Sequence, residues 1–401
     1  MADMPAIGRR DFLKSTATGL GGFVYLSANQ SKPDEVPQPG PRAGYRTLGK
    51  TGITLPVISM GVMNTDNPHL VQAALEAGVV HLDTAQGYQR GTNEAMIGGI
   101  IKGRPRSSYV IATKASLPKD QATGMYAPDA TEDVYAKKID VSLKNLGLDY
   151  VDIYYHHGTW TRDATLYEPI VNALIKAKQA GKARFIGVTT HRNEPEVIRA
   201  ALESKVYDVV LTAYNFRQKH ADEVRAAIAE AAGAGLGVVA MKTIGGNLRG
   251  AYHGGEQLDA RAAFKWALQD RNVHTIITGF TTFDQMTLDL SILKDLTLSA
   301  SEAQHLRRVA AGPSLYCQGC GACTGQCREG LPIPELMRAY MYTHGHRNLG
   351  AAQDLIASLA LPAQPCASCA TCAVECLNGW QVSDRVRNVV RLRDVPADLL
   401  A

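Results

Sequence analysis

The chain has 401 residues, 45% of them hydrophobic and 20% charged, and a net charge of +4 at neutral pH. This length holds one large domain and a small one, and the composition is that of an ordinary globular protein. The small charge, with no basic stripe of interleaved aromatics, excludes nucleic acid as a partner, and no apolar run reaches membrane-spanning length.

The N-terminus reads Gly8-Arg9-Arg10-Asp11-Phe12-Leu13-Lys14, followed by a mildly apolar stretch at 19–28. It resembles a twin-arginine export signal, usually Ser/Thr-Arg-Arg-x-Phe-Leu-Lys, with Gly8 in place of the hydroxyl residue. The competing reading is a chance Arg-Arg pair on a tail. The resemblance implies a Tat signal segment at 1–28 and a periplasmic or exported protein that leaves the cytoplasm folded. Ala28 ends the stretch, but Leu26 is not the small residue a cleavage site wants. Retention as a membrane tether therefore stays open, and this is the only membrane contact expected. Residues 29–44 set Pro33, Pro37, Pro39 and Pro41 among polar residues and form an extended linker.

From residue 45 to 311 short apolar runs alternate with amphipathic stretches. The strand-like runs are 57–63, 79–84, 109–114, 151–157, 184–189, 208–214, 237–242 and 274–279. Helical periodicity marks 131–146, 166–180 and 196–202 between them. Eight such units predict an α/β fold, a (β/α)8 TIM barrel. The rival, a doubly wound sheet, needs a G-x-G-x-x-G turn after its first strand. Here that strand ends Met60-Gly61-Val62-Met63-Asn64.

Active sites of such barrels lie at the carboxyl ends of the strands. Asp83, Lys114 and His157 stand at three neighbouring ends, and Tyr88 follows the first of them. A phenol has a reference pKa near 10. A lysine cation beside it favours the phenolate, and an aspartate holds the lysine in place. A histidine orients a carbonyl oxygen. Together these residues form a proton donor and oxyanion site for reducing C=O, or for oxidising an alcohol in reverse. Singly each has a plainer explanation: a structural ion pair, or turn packing. His156 and His157 alternate in direction, so at most one enters the barrel.

These residues carry a resemblance to the aldo-keto reductase family. Asp83-Thr84-Ala85 through Tyr88, then Gly91, Asn93-Glu94 and Ile97-Gly98, is similar to its D-T-A-x-x-Y-G…E…G signature. Thr113-Lys114 is similar to its T-K. Residues 142–157 are similar to its S-L-x-x-L-x-x-D-Y-(V/I)-D-x-x-x-x-H segment, which puts His157 in the catalytic place. The resemblance implies catalytic roles for Asp83, Tyr88, Lys114 and His157, and a nicotinamide cofactor, NADP or NAD, bound without a Rossmann domain. It implies a hydroxyl for the carboxamide from Thr189, a ring stacked on Tyr214, and a pyrophosphate near Lys242. Gly279, Thr281 and Gln285 fall in its phosphate and adenosine region. Thr190 and Leu211 depart from the family's Asn and Gln. No Lys or Arg lies between Thr281 and Gln285 to select a 2′-phosphate.

All eight cysteines lie in the last fifth of the chain, in two copies of one pattern. They are Cys317, Cys320, Cys323 and Cys327, then Cys366, Cys369, Cys372 and Cys376. The spacing C-x2-C-x2-C-x3-C resembles that of bacterial two-cluster ferredoxins, where the fourth cysteine serves the other cluster. Two [4Fe–4S] clusters are implied. Cys317, Cys320, Cys323 and Cys376 would hold one, and Cys366, Cys369, Cys372 and Cys327 the other. Disulfides and zinc are the competing readings. Arg328 and Leu377 stand where a proline usually follows, and residues 331–342 predict a helix entered through Pro332 and Pro334.

The layout, a barrel at 45–311 and a small α-rich module at 312–393, resembles a subgroup in which such a barrel is fused to a dicluster ferredoxin module. The expected function is an exported oxidoreductase acting on a small carbonyl or alcohol, a sugar among the candidates. Its clusters would exchange electrons with a redox partner protein. The alternative is an electron-transfer or assembly protein on a barrel that has lost nicotinamide binding.

Overall fold

The computed structural model describes residues 44–400, apart from 122, 246–251, 254–255, 313 and 397–398. The expected signal segment and nearly all of the linker lie outside the described residues. Each of the eight predicted runs overlaps a strand: Ile58–Gly61, His81–Asp83, Val110–Ala115, Val151–His156, Ala183–Thr190, Val209–Ala213, Gly237–Met241 and Thr275–Thr278. They form one closed barrel of parallel pairs. The eighth strand closes it, pairing Ile276 with Ile58 on one side and Ala240 on the other.

The helices begin and end where local chemistry dictates. Helix Glu132–Leu146 starts at Thr131, whose hydroxyl accepts from the Val134 amide, and stops at Gly147, φ 66°. Its buried face, with Tyr135, Ile139, Leu143 and Leu146, packs on the outside of the barrel.

A hairpin that the periodicity did not reveal, Tyr45–Thr47 with Thr54–Pro56, plugs the amino-terminal end. Leu48, Ile53 and Leu55 are buried there with Val110, Ile153, Val209, Leu211 and Val239 of the barrel interior. The connecting turn needs Gly49: its φ is 52°, and a Cβ would lie 2.4 Å from the Gly237 amide nitrogen. The barrel is thus sealed at its amino-terminal end.

Beyond the barrel, helices Ile333–His344, Leu349–Ala357 and Val382–Val389 surround a second core that includes Leu336, Ile356, Val382, Val386 and Val389. The helix predicted at 331–342 is present, and its first turn carries Pro334.

Leu55 is fully buried in the plug. Leu55→Ala should therefore cost about 2–5 kcal/mol in denaturant unfolding. The site at the far end should keep its turnover per folded molecule.

Candidate active site at the barrel mouth

Side chains alternate in and out along a strand. Asp83 and Lys114 point inward at the ends of the second and third strands, and His157 does so just past the fourth. His156 points outward, where Tyr126 and Tyr207 hydroxyls bond its two ring nitrogens. Tyr88 opens a short helical turn, Tyr88–Gly91. Gln89 Nε2 fastens that turn to the Thr65 carbonyl at 2.6 Å.

Lys114 Nζ donates to Asp83 Oδ1 at 2.5 Å and to the Thr84 carbonyl at 2.6 Å. It stands 4.8 Å from the centre of the Tyr88 ring. The Tyr88 and His157 rings meet edge to face at 6.1 Å. All four predicted residues line one cavity of about 590 Å³. The rest of the motif works from behind. Thr84 Oγ1 bonds Asn93 Oδ1 and Thr113 Oγ1 bonds Glu94 Oε1, each at 2.6 Å, fixing the two strand ends.

Burial disfavours both charges of the ion pair, raising the Asp83 carboxyl and lowering the Lys114 ammonium, while their mutual attraction opposes both shifts. Tyr88 differs from expectation. Burial, then Asp83 and Tyr342, hold its phenol well above its ordinary value, and only Arg338 pulls it back. Burial, reinforced by the Asp83 charge, keeps the phenol protonated. His157 is driven well below the usual histidine value by burial, then by Lys114, Lys119 and Arg338, and is neutral.

Of the residues expected at the cofactor, Thr189, Lys242 and Gly279 line the cavity. Thr189 Oγ1 accepts from the Gly158 amide at 2.8 Å. Lys242 is pushed down to about 8 by burial and the neighbouring Arg338. Thr281 and Gln285 sit outside the cavity at the start of helix Phe283–Ser291, bonded to each other at 2.9 Å. Tyr214 is a correction. It follows a strand whose inward residues are Val209 and Leu211, so it points outward, 4.9 Å from the Trp266 ring, with Arg225 Nε donating to its hydroxyl at 3.0 Å. Leu211 fills the barrel interior. The residues present fit the cofactor's carboxamide through Thr189 and its phosphates through Lys242 and Gly279, without an amide from Leu211 or stacking from Tyr214.

Lining residues that sequence reasoning did not single out include Lys119, His191, Arg338 and Tyr342. Arg338 and Tyr342 lie one helical turn apart on Ile333–His344, so the cysteine-bearing segment roofs the barrel mouth. The i, i+4 spacing was readable, but its target was not.

The cysteines fall into two sets. Cys327, Cys366, Cys369 and Cys372 line one small cavity. Cys320, Cys323 and Cys376 lie close enough to Cys317 for their charges to interact. These are the sets that the ferredoxin spacing assigns to each cluster. Backbone amides of Gly319 and Asn378 reach Cys317 Sγ at 3.3 Å and Cys376 Sγ at 3.4 Å. Among the described residues no three His, Cys, Asp or Glu side chains converge closely enough to hold a single ion. Zinc needs four donors on one centre. A cubane takes four thiolates, one on each iron, and each set supplies four cysteines.

The Aldo/keto reductase family profile matches residues 60–262. L-glyceraldehyde 3-phosphate reductase of Escherichia coli (strain K12) is 24% identical over 326 residues, covering 67% of this chain and 93% of that protein. L-galactose dehydrogenase of Arabidopsis thaliana is 35% identical over 158 residues, 36% of this chain and 47% of the relative. Among solved structures, the holo form of an aldo-keto reductase from Bacillus halodurans shares the fold. Its TM-score is 0.56 at 24% identity, over 69% of this chain and 99% of its own.

Buried neutral histidines set a pH dependence. His81, fully buried inside the barrel with neither ring nitrogen bonded, is pushed down to about 3 by burial and Lys114. The unfolded chain takes up that proton near pH 6.5. Stability is therefore full above about 6.5 and declines as pH falls toward the folded value. His81→Leu loses no hydrogen bond and should flatten this acid limb in urea midpoints between about pH 4 and 7. An unchanged limb would contradict the assignment.

Proposed function

The chain belongs to the aldo/keto reductase family and is a nicotinamide-dependent oxidoreductase, and on that premise we propose how its mouth residues interconvert a carbonyl and an alcohol. The observation that carries the reading is the convergence of Tyr88, His157 and the Lys114–Asp83 pair in one cavity. The bound cofactor supplies or accepts the hydride. Tyr88, protonated at neutral pH, gives its phenolic proton to the substrate oxygen in reduction and takes it back in oxidation. Lys114, held by Asp83 beside the ring, stabilises the phenolate left behind. Neutral His157 presents a ring N–H to the same oxygen and fixes its direction. The substrate proposed is a sugar or sugar-derived carbonyl, the class named for both curated relatives.

The second part of the proposal concerns residues 312–393. The two cysteine sets would hold two [4Fe–4S] clusters, which supply one-electron transfer to a redox partner protein. Cys317 shares a small pocket with His191, Lys242 and Arg338, which supports electron exchange beside the mouth. The twin-arginine resemblance supports export in the folded state, after clusters are acquired in the cytoplasm.

Tyr88→Phe keeps the ring and removes the proton. Turnover should fall by about 10²–10⁴-fold or more, with circular dichroism unchanged. Full activity in that variant would sink the assignment.

A further inference from the structure

The mouth carries more positive charge than the proton chemistry uses. Lys114, Lys119, Lys242 and Arg338 line the cavity, against one lining carboxylate, Asp83, which Lys114 engages. Lys119 is buried and donates only to carbonyl oxygens, of His157 at 3.1 Å and Gly158 at 2.6 Å, among the described residues. A lysine has three N–H donors, so one is left. Its nitrogen lies 5.0 Å from the Trp160 ring, and burial pushes its pKa down to about 7, so a bound anion would hold it protonated.

Arg338 reaches the cavity from the cysteine-bearing segment and is held from two sides. Nη1 donates to His191 Nε2 at 2.8 Å, and Nη2 pairs with Glu335. Glu335 is shared with Arg192 at 3.6 Å, so it does not cancel Arg338 alone. Arg338 Nε is buried with no partner. A guanidinium fixed this way, with donors unspent, is set for an oxyanion. Uncompensated buried cations are costly, and an anionic ligand offsets that cost.

Lys119 and Arg338 flank the reacting residues, and Arg338 also neighbours Lys242. Lys119 follows the third strand, beside His157. Both it and Arg338 act electrostatically on His157, and Arg338 on Tyr88. Lys242 lies after the seventh strand, with the residues expected at the dinucleotide. We infer that the carbonyl substrate carries an anionic group, carboxylate or phosphate, seated between Lys119 and Arg338 while its carbonyl meets Tyr88 and His157. This rests on the reductase reading and adds the substrate class. The anchoring arginine comes from outside the barrel, so specificity is set by the appended segment.

The test uses anaerobically purified full-length protein and two readouts. In calorimetry, succinate or inorganic phosphate should bind, and Arg338→Met and Lys119→Met should each weaken binding about 10–100-fold. In turnover, succinic semialdehyde is compared with butanal, and glyceraldehyde 3-phosphate with glyceraldehyde. One anionic member should be preferred, showing which group fits. The preference should collapse in both variants, mainly through KM, and return in part with Arg338→Lys. Absence of anion binding, or binding indifferent to both variants, overturns the inference whatever the turnover. Variants that lose NAD(P)H affinity and keep the substrate preference overturn it by assigning the pair to the dinucleotide phosphates. Anion binding that both variants abolish, with no aldehyde turned over, supports the anion site and counts against the reductase reading instead.

Discussion

The buried pair of Lys114 and Asp83 is the interaction on which the rest of the mouth depends. Lys114 is 2% exposed and Asp83 1%. Neither charge would survive there alone, because removing one partner leaves the other desolvated and uncompensated. The pair is possible because the second and third strands are adjacent and parallel, with Asp83 registered to Ala112, two residues before Lys114. The strand ends are braced from outside by Asn93 and Glu94. The hairpin plug completes the frame at the other end.

In the proposed reaction the pair's neutrality also shapes the proton chemistry. An unpaired ammonium would draw the Tyr88 phenol toward ionisation. Tied to Asp83, it leaves the phenol protonated and waits for charge that develops after transfer. His157 is neutral for a similar reason: it is buried among cations, so it orients by hydrogen bonding and adds no charge. The appended helical segment adds a third influence. Tyr342 and Arg338 both face the cavity, and Arg338 acts on Tyr88 and His157 alike. Barrel and appended segment thus share one site.

The barrel was legible because its strands are short apolar runs and its helices have a clear buried face. The convergence of Tyr88, Asp83, Lys114 and His157 on one cavity was legible because strand ends and side-chain parity bring the last three to one place. Tyr214 was misread because family likeness ignored that parity. The hairpin escaped because it pairs only Tyr45–Thr47 with Thr54–Pro56, too short for any period to register. Lys119 lies in a loop, and Arg338 is more than 200 residues from the other lining lysines at the third strand. Their convergence is tertiary and leaves no local pattern.

The most direct test of the account is the small-molecule content of the full-length protein purified anaerobically. The sample is denatured, the released nicotinamide is identified, and iron and sulfide are counted on the same material. The account predicts NAD or NADP, either carried along or taken up on addition, beside about eight irons. Eight irons with no nicotinamide bound, and none taken up on addition, would contradict it.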